Sequence, residues 1–171
     1  MIFERTYYKK KILNAFKNVL IVILIGARQV GKTTLMKNHS FKEKTVFVNG
    51  QDVSTAELFQ SHTAIDTYLQ YNLNKKKKGV LLIDEFQYIP KVSLILKLLS
   101  DNNPGLKIIC TGSSSIDIRQ KVEESLAGRV RIIEVFSLSF EEYVLFHDQD
   151  IYELYLKYKI NTPHLAVNSK I

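Results

Sequence analysis

Apolar residues along this chain follow two alternating patterns, which predict strands that alternate with helices. Short unbroken apolar runs are typical of buried strands, and the stretches between them carry apolar residues at helical spacing. The predicted strands cover residues 19–25, 45–48, 80–84, 107–111 and 130–135. Because such alternation requires right-handed crossovers, we predict an α/β fold with a mostly parallel sheet and helices on both faces.

The helices are predicted from apolar positions that recur every three or four residues. An amphipathic helix over residues 6–18 precedes the first strand, and a helix over residues 32–39 follows it. Ser139 and Glu142 form a capping box that opens a later helix. The remaining predicted helices lie around residues 65–73, 92–99, 118–126 and 150–158.

The segment after the first strand fits the phosphate-binding pattern G-x-x-x-x-G-K-[ST]. Its residues are Gly26, Ala27, Arg28, Gln29, Val30, Gly31, Lys32 and Thr33, and Thr34 follows. In this pattern consecutive backbone N–H groups turn inward around a phosphate, and the lysine reaches the β- and γ-phosphate oxygens. We therefore predict a nucleoside triphosphate site with Thr33 as a ligand of Mg²⁺.

Two adjacent acids end the third predicted strand. The apolar run Val80–Ile83 leads directly into Asp84 and Glu85. In P-loop enzymes the strand-end aspartate holds Mg²⁺, and an acid beside it orients or deprotonates the attacking water. This pair predicts hydrolysis, with Asp84 at the metal and Glu85 at the water.

The fourth strand is predicted to lie between the first and the third, where its end faces the terminal phosphate. That end offers Thr111, Ser113 and Ser114 as groups that can hydrogen-bond the phosphate or the attacking water. We favour Ser113 as this polar sensor. The alternative is that the polar cluster only caps the next helix.

Composition is that of a single soluble domain. The chain has 171 residues with 46% hydrophobic content, and its one cysteine, Cys110, lies in an apolar strand and forms no disulfide within the chain. The four histidines are scattered, which disfavours a zinc site. Because no apolar run approaches the roughly 18 residues of a membrane span, we expect no membrane association and a cytoplasmic protein.

Positive charge is concentrated in the first part of the chain. The net charge is +7, and residues 1–60 hold ten Lys and Arg against four Asp and Glu. Such a basic face can attract nucleic acid, the nucleotide or an acidic protein, and charge alone does not choose among them. We interpret the run Lys75–Lys78 as a solvated loop.

Taken together, these segments resemble the AAA-type, or additional-strand, P-loop ATPases of archaea and bacteria. The motifs that carry the resemblance are G-A-R-Q-V-G-K-T-T at 26–34, L-L-I-D-E-F-Q at 81–87, T-G-S-S-S at 111–115, L-A-G-R-V at 126–130 and L-S-F-E-E-Y at 138–143. The resemblance implies a five-stranded parallel sheet in the order 5-1-4-3-2, flanked by helices, that binds ATP and Mg²⁺.

The resemblance also implies a role for individual positions. Lys32 and Thr33 match the nucleotide and metal residues, Asp84 matches the second metal-side acid, Glu85 the catalytic acid and Ser113 the sensor. The motif residue Gln87 has no role that can be derived from the pattern.

Arg129 matches the arginine that AAA proteins often use as a finger in a neighbouring subunit, which implies a homo-oligomer. The alternative is that Arg129 and Arg131 only pair with Glu123 or Glu124 at the surface.

Two departures from the family pattern affect these expectations. The sequence has Asn49-Gly50-Gln51 where family members commonly place an acid after the second strand. Such proteins also usually continue into a helical or winged-helix lid and a further domain. We expect residues 1–149 to form the ATPase core and residues 150–171 to begin a lid that is cut short, with weak turnover.

The leading functional hypothesis is Mg²⁺-dependent ATP hydrolysis that drives a conformational change on a protein or nucleic-acid partner. The alternative is a nucleotide-dependent switch that binds DNA or protein with negligible turnover. A small-molecule kinase shares the phosphate loop, but the neighbouring acids Asp84 and Glu85 favour a site that activates water. ATP is favoured over GTP by the resemblance and by the absence of an N-K-x-D motif.

Overall fold

The five apolar runs form one five-stranded sheet. Its strand order is β2-β3-β4-β1-β5, and all four neighbouring pairs are parallel. The strands are β1 (Ile21–Gly26), β2 (Thr45–Asn49), β3 (Gly79–Asp84), β4 (Leu106–Ser113) and β5 (Val130–Glu134). The predicted α/β class and the order 5-1-4-3-2 are confirmed, with β4 between β1 and β3.

The computed structural model describes residues 5–38, 41–73, 78–113 and 116–161. His39 at the end of a predicted helix, most of the run Lys75–Lys78, the sensor alternative Ser114, and residues 162–171 of the predicted lid lie outside the described residues. The helices are α1 (Thr6–Ala15), α2 (Lys32–Lys37), α3 (Val53–Leu58), α4 (His62–Asn72), α5 (Val92–Asn102), α6 (Ile116–Ser125), α7 (Phe140–His147) and α8 (Gln149–Asn161).

The sheet is covered on both faces, so its central strands are apolar throughout. All six residues of β1 are buried, and the first five alternate between two cores. Ile21, Ile23 and Ile25 join the core that contains α4 and α5, while Val22 and Leu24 join the core that contains α1 and α2. A continuous apolar run is therefore what a two-sided parallel sheet requires.

Several predicted boundaries differ from the structure by a few residues, and two of them have a clear physical reason. Helix α1 ends at Ala15, because the N–H of Lys17 bonds to the carbonyl of Asn14 and tightens the chain into a turn. Strand β4 continues to Ser113, two residues past the predicted end, because it stays paired with β1 as far as Gly26. This extension carries the polar residues of β4 to the level of the phosphate loop.

The chain divides into two compact units after Phe136. Within the second unit, α7 begins with the predicted capping box of Ser139 and Glu142. The rings of Phe140 and Tyr155 meet edge to face at 5.8 Å, which pairs α7 with α8. That residues 150–171 begin a lid stays a prediction. No described helix is both long enough and apolar enough to cross a bilayer.

Because all strands are parallel, the sheet has two distinct ends, which we call the carboxyl end and the amino end. The carboxyl end lies where the strands finish and includes Gly26, Asn49, Asp84 and Ser113. In open α/β sheets ligands bind outside this end.

Candidate functional site

The phosphate loop, residues 26–33, leaves β1 at the carboxyl end and turns directly into α2. Two of its residues have left-handed backbones, Gln29 with φ 64° and Gly31 with φ 86°. The carbonyl of Gly31 accepts the first helical bond of α2, from the N–H of Leu35 at 2.8 Å. Alternation of right-handed and left-handed backbone conformations turns successive N–H groups toward one side, which forms a concave site for an anion.

Lys32 is folded back over this loop. Its ammonium donates to the carbonyl of Gly26 at 3.0 Å and to that of Ala27 at 2.7 Å, and the residue is only 6% exposed. The two bonds hold a positive charge inside the curve of the loop, where a bound phosphate would lie.

Thr33 and Asp84 meet across the carboxyl end, although they are 51 positions apart in the chain. The Thr33 hydroxyl donates to Oδ1 of Asp84 at 2.9 Å, and Asp84 is 8% exposed. Convergence of the phosphate loop with the strand-end acid is therefore confirmed as an arrangement. A hydroxyl and a carboxylate are hard oxygen donors, so this pair fits Mg²⁺, which binds through few protein ligands and keeps several waters.

The β4 residue beside Asp84 is Thr111. Its hydroxyl donates to Oδ1 of Asp84 and accepts the backbone N–H of Glu85 at 3.1 Å, and the residue has no exposed surface. Of the two sensor candidates that the structure describes, Thr111 and Ser113, Thr111 is thus the one that contacts the strand-end acids. Ser113 lies two residues further on, paired with Gly26 in register. Its role as sensor stays a prediction.

Glu85 lies at a sharp turn immediately after β3. Its backbone is left-handed, with φ 50° and ψ 45°, and a 3₁₀ turn over Phe86–Tyr88 follows. The amide of Gln87 donates to Oε2 of Glu85 at 2.5 Å. Sequence reasoning missed this contact, because nothing in the residue pattern indicates a left-handed backbone at a glutamate.

A polar cleft of about 510 Å³ lies between the phosphate loop and Glu85. It is lined by Arg28, Gln29, Gly31, Lys32, Thr33, Thr34, Gln51 and Glu85. After β2, where the family pattern commonly has an acidic side chain, this chain instead places the amide side chain of Gln51 in the cleft. The first acid after β2, Asp52, is exposed at the start of α3.

Arg5 supports the cleft from the side of α1, and sequence reasoning did not single it out. Its guanidinium donates to the carbonyl of Phe136 at 2.8 Å and to that of Val30 in the phosphate loop at 3.4 Å. The group also stacks over the Tyr8 ring at 4.4 Å, and the Tyr8 hydroxyl accepts the N–H of Phe136 at 3.1 Å. These contacts tie the loop to α1 and to the chain after β5.

Arg129 lies at the amino end of the sheet, away from the phosphate loop of its own chain. Its carbonyl accepts the N–H of Ile21, the first residue of β1. Six residues of β1 separate that position from the loop, which corresponds to about 20 Å. The structure therefore does not bring Arg129 to the site within one chain, and a finger role across a subunit contact stays a prediction.

The surface alternative for Arg129 named the wrong acids. The guanidinium binds Asp101 with two bonds, Nε to Oδ1 at 2.6 Å and Nη2 to Oδ2 at 3.2 Å. These bonds hold the pKa of Asp101 below its usual value.

The acids named in that alternative bond within α6. Glu123 accepts from Arg119 at 3.3 Å and Glu124 accepts from Gln120 at 3.1 Å. Both are neighbours at i, i+4, a spacing that favours such pairs over longer-range ones.

Comparison with known proteins agrees with this geometry. A model of the AAA domain family matches residues 18–144, which include the phosphate loop, the strand-end acids and Arg129. The chain belongs to the AAA domain family. Membership of this family supports nucleotide binding and ATPase activity in general terms.

Curated relatives of this chain are longer than the chain itself. An uncharacterized protein of Mycobacterium tuberculosis is 31% identical over 146 residues, which cover 83% of this chain and 31% of the relative. An uncharacterized protein of Methanocaldococcus jannaschii is 25% identical over 155 residues, which cover 86% of this chain and 34% of the relative. The chain thus spans about a third of the length of these relatives.

Among solved structures, a Walker-type ATPase of Pyrococcus abyssi has the same fold. The two align with a TM-score of 0.60 and 17% sequence identity, over 90% of this chain and 59% of the other. At this identity the likeness concerns the fold alone.

Proposed function

We propose that this chain binds ATP with Mg²⁺ and hydrolyses the bond between the β- and γ-phosphates. The observation that carries the proposal is the 2.9 Å contact between Thr33 and Asp84, at the mouth of a loop that holds the buried ammonium of Lys32. A cation, an anion cradle and an adjacent pair of oxygen ligands form the minimal set for a triphosphate with its metal.

Binding is assigned to the loop and the pair beside it. The N–H groups of residues 26–33 and the ammonium of Lys32 hold the phosphates, and Thr33 and Asp84 hold Mg²⁺. When bound, the metal neutralises charge on the β- and γ-phosphate oxygens. Thr111 keeps the Asp84 carboxylate in place through its hydroxyl.

Hydrolysis is assigned to Glu85. Its carboxylate takes a proton from a water molecule while the water oxygen bonds to the γ-phosphorus, and the bond from that phosphorus to the bridging oxygen breaks. ADP leaves with the electron pair of that bond, and inorganic phosphate is the second product. Ser113 hydrogen-bonds the terminal phosphate, and Arg129 of a neighbouring copy stabilises its charge.

We further propose that the hydrolysis cycle drives a conformational change on a protein or nucleic-acid partner.

The weak, surface-exposed pairing of Arg129 with Asp101 leaves that guanidinium accessible to a neighbouring copy, since the two side chains are 38% and 41% exposed. A homo-oligomer is the assembly in which the AAA-type site is complete.

Two substitutions test the site directly, with ATP binding and phosphate release measured in parallel. Lys32→Ala removes the charge-assisted contacts to the phosphates and should weaken ATP binding by about 100-fold, equivalent to ~3 kcal/mol. Glu85→Gln should retain binding and lose phosphate release by about 10² to 10⁴-fold. Lys97→Ala and Glu153→Gln change exposed residues of the same types and should behave as wild type.

The result would go against the proposal if Glu85→Gln turned over normally or if Lys32→Ala bound ATP as the wild type does. Competition by GTP measures the preference for the base, and addition of a phosphate acceptor separates hydrolysis from a kinase reaction.

The alternative function is a nucleotide-dependent switch for an anionic partner. It is favoured by the exposed lysines of α1, Lys10 and Lys11, and by the positive charge of the first 60 residues. A switch of this kind would bind DNA with an affinity that falls steeply with salt and changes when ATP is added. A DNA affinity that is independent of salt would remove the nucleic-acid form of this function.

A further inference from the structure

The turn after β3 brings the side chains of Glu85 and Gln87 to the same side of the chain. The backbone N–H of Glu85 donates to Thr111, and its carbonyl accepts the N–H of Tyr88 at 3.1 Å. Phe86 between them is 2% exposed and anchors the turn in the core. Both backbone groups of Glu85 are therefore fixed, and its carboxylate is the part of the residue that is left to be oriented.

Gln87 orients that carboxylate. Its Nε2 donates to Oε2 of Glu85 at 2.5 Å, a charge-assisted bond between two half-buried side chains. The glutamine lies against β4 at Gly112, where a Cβ would come within 2.9 Å of its Oε1 and still closer to the Phe86 ring. Space for Gln87 thus exists because position 112 carries no side chain.

The other end of the Gln87 amide has no such partner. Its Oε1 is buried and accepts no hydrogen bond within the part of the chain that the structure describes. A buried acceptor without a donor costs free energy, which the contact with Glu85 offsets only at the opposite end of the amide. Stability alone therefore does not explain a glutamine at position 87.

We propose that Gln87 is a positioning residue for water activation by Glu85, an inference that rests on the proposed hydrolysis of ATP. By donating to Oε2, the amide fixes the plane of the carboxylate and leaves Oε1 as the oxygen that faces the attacking water. Gln87 itself touches neither water nor nucleotide in this role. It acts on the rate of the chemical step and leaves nucleotide binding to the phosphate loop.

The test is the substitution Gln87→Met, which keeps the length of the side chain and removes the donor. We expect kcat for phosphate release to fall about 10 to 100-fold and KM for ATP to stay unchanged. A loss of this size is typical of a catalytic group that is displaced by up to about 1 Å. The midpoint of thermal unfolding should be equal or higher, because the unpaired acceptor is removed with the donor. Gln87→Leu, which also lacks the donor, should show the same loss of kcat.

A matched control exists on α4. Gln70 donates to Asp66 at 3.1 Å on the exposed face of that helix, so it is a second glutamine paired with a carboxylate. Gln70→Met should leave kcat, KM and stability as in the wild type. In the background of Glu85→Gln, Gln87→Met should cause no further loss, because a residue that acts through Glu85 is not additive with it.

The outcomes separate this inference from the function on which it rests. If the wild type releases phosphate and Glu85→Gln stops it, the proposed function stands. An unchanged kcat in Gln87→Met, an increased kcat, or a loss expressed only in KM then overturns the role of Gln87 alone. A wild type that binds ATP without releasing phosphate overturns both.

Discussion

The two ends of the same sheet are built differently. At the carboxyl end, Thr33 and Thr111 both donate to the Asp84 carboxylate, and Asp84 is 8% exposed. At the amino end, Arg129 and Asp101 form a bidentate ion pair whose side chains are 38% and 41% exposed. The ion pair of Arg129 with Asp101 is thus exposed to solvent, whereas the buried Asp84 carboxylate is held by neutral hydroxyls.

The charged side chains at the two ends therefore differ in what they can bind. Within the described residues, the bonds to the Asp84 carboxylate come from the hydroxyls of Thr33 and Thr111, and such neutral donors leave the carboxylate available to a metal ion. An exposed ion pair is already neutralised, screened by salt and of little consequence for stability. Substitutions of the same kind at the two ends should therefore have unequal effects.

The largest contrast is expected between two glycines. Gly50 follows β2 at the carboxyl end, where a Cβ would overlap the carbonyl oxygen of Glu85, and its N–H donates to the carbonyl of Asp84 at 2.8 Å. Gly50→Ala must therefore displace the backbone that carries both acids. We expect at least about 2 kcal/mol of destabilisation and loss of nucleotide binding.

Gly105 at the amino end is the matched control. A Cβ there would meet Cγ of Lys78 at 2.9 Å, and that flexible side chain can move aside. Gly105→Ala should change the free energy of unfolding by less than about 1 kcal/mol, since reduced freedom of the unfolded chain offsets the crowding. Equal effects of the two alanines in denaturant titrations would remove the contrast between the ends.

The next contrast concerns one buried hydroxyl at each end. Thr111→Val keeps the shape of the side chain but leaves the Asp84 carboxylate and the N–H of Glu85 each short of a partner, so we expect a cost of about 1–3 kcal/mol. ATP affinity in the presence of Mg²⁺ should fall as well. Thr111→Ser restores the hydroxyl and should recover most of both losses.

Ser100 supplies the comparison at the amino end. It is 7% exposed, and its hydroxyl donates to the carbonyl of Lys97 in its own helix. Ser100→Ala should therefore cost no more than about 1 kcal/mol and leave ATP affinity unchanged. If Thr111→Val were as mild as Ser100→Ala, the Asp84 carboxylate would not depend on β4.

Sequence reasoning succeeded where the structure follows from residue pattern. The apolar runs became the strands, and the strand order implied by the family motifs was confirmed. Convergence of Thr33 with Asp84 also followed, because the carboxyl ends of parallel strands meet on one side of a sheet. These features depend on periodicity and topology, which a sequence carries directly.

Contacts that depend on strand register or on a left-handed backbone conformation could not be predicted from the sequence in the same way. Two polar side chains, those of Thr111 and Ser113, lie at the end of β4, and only the pairing of that strand with β3 shows that Thr111 is the one beside Asp84. Gln87 reaches Glu85 through a left-handed turn that residue propensities disfavour. Arg129 pairs with Asp101, 28 positions earlier, instead of with the acids of α6 next to it.

The effect of Arg129 on stability is expected to be smaller than that of Thr111. Because its pair with Asp101 is exposed, Arg129→Ala should change the unfolding midpoint little. If Arg129 acts as a finger in a neighbouring copy, however, Arg129→Ala should lower turnover by ~10³-fold at protein concentrations at which the wild type assembles. The measurement is phosphate release against protein concentration, with oligomeric state followed by light scattering. Normal turnover of an assembled Arg129→Ala protein would remove the finger role.

The smallest effect is the pH dependence of that same pair. Hydrogen bonds from Arg129 hold the pKa of Asp101 below its usual value, so the folded state favours the ionised carboxylate more than the unfolded state does. The stabilisation is complete above the unfolded pKa of about 3.9 and is lost as pH falls through the lower folded value.

The difference in unfolding midpoint between the wild type and Asp101→Asn should therefore stay constant from about pH 8 to pH 5 and shrink only in more acidic buffer. It should also shrink with added salt at neutral pH, because the pair is exposed and a Debye length of about 10 Å at 0.1 M screens it. A difference that persists in strong salt would mean that the amino end holds its ion pair as firmly as the carboxyl end holds Asp84.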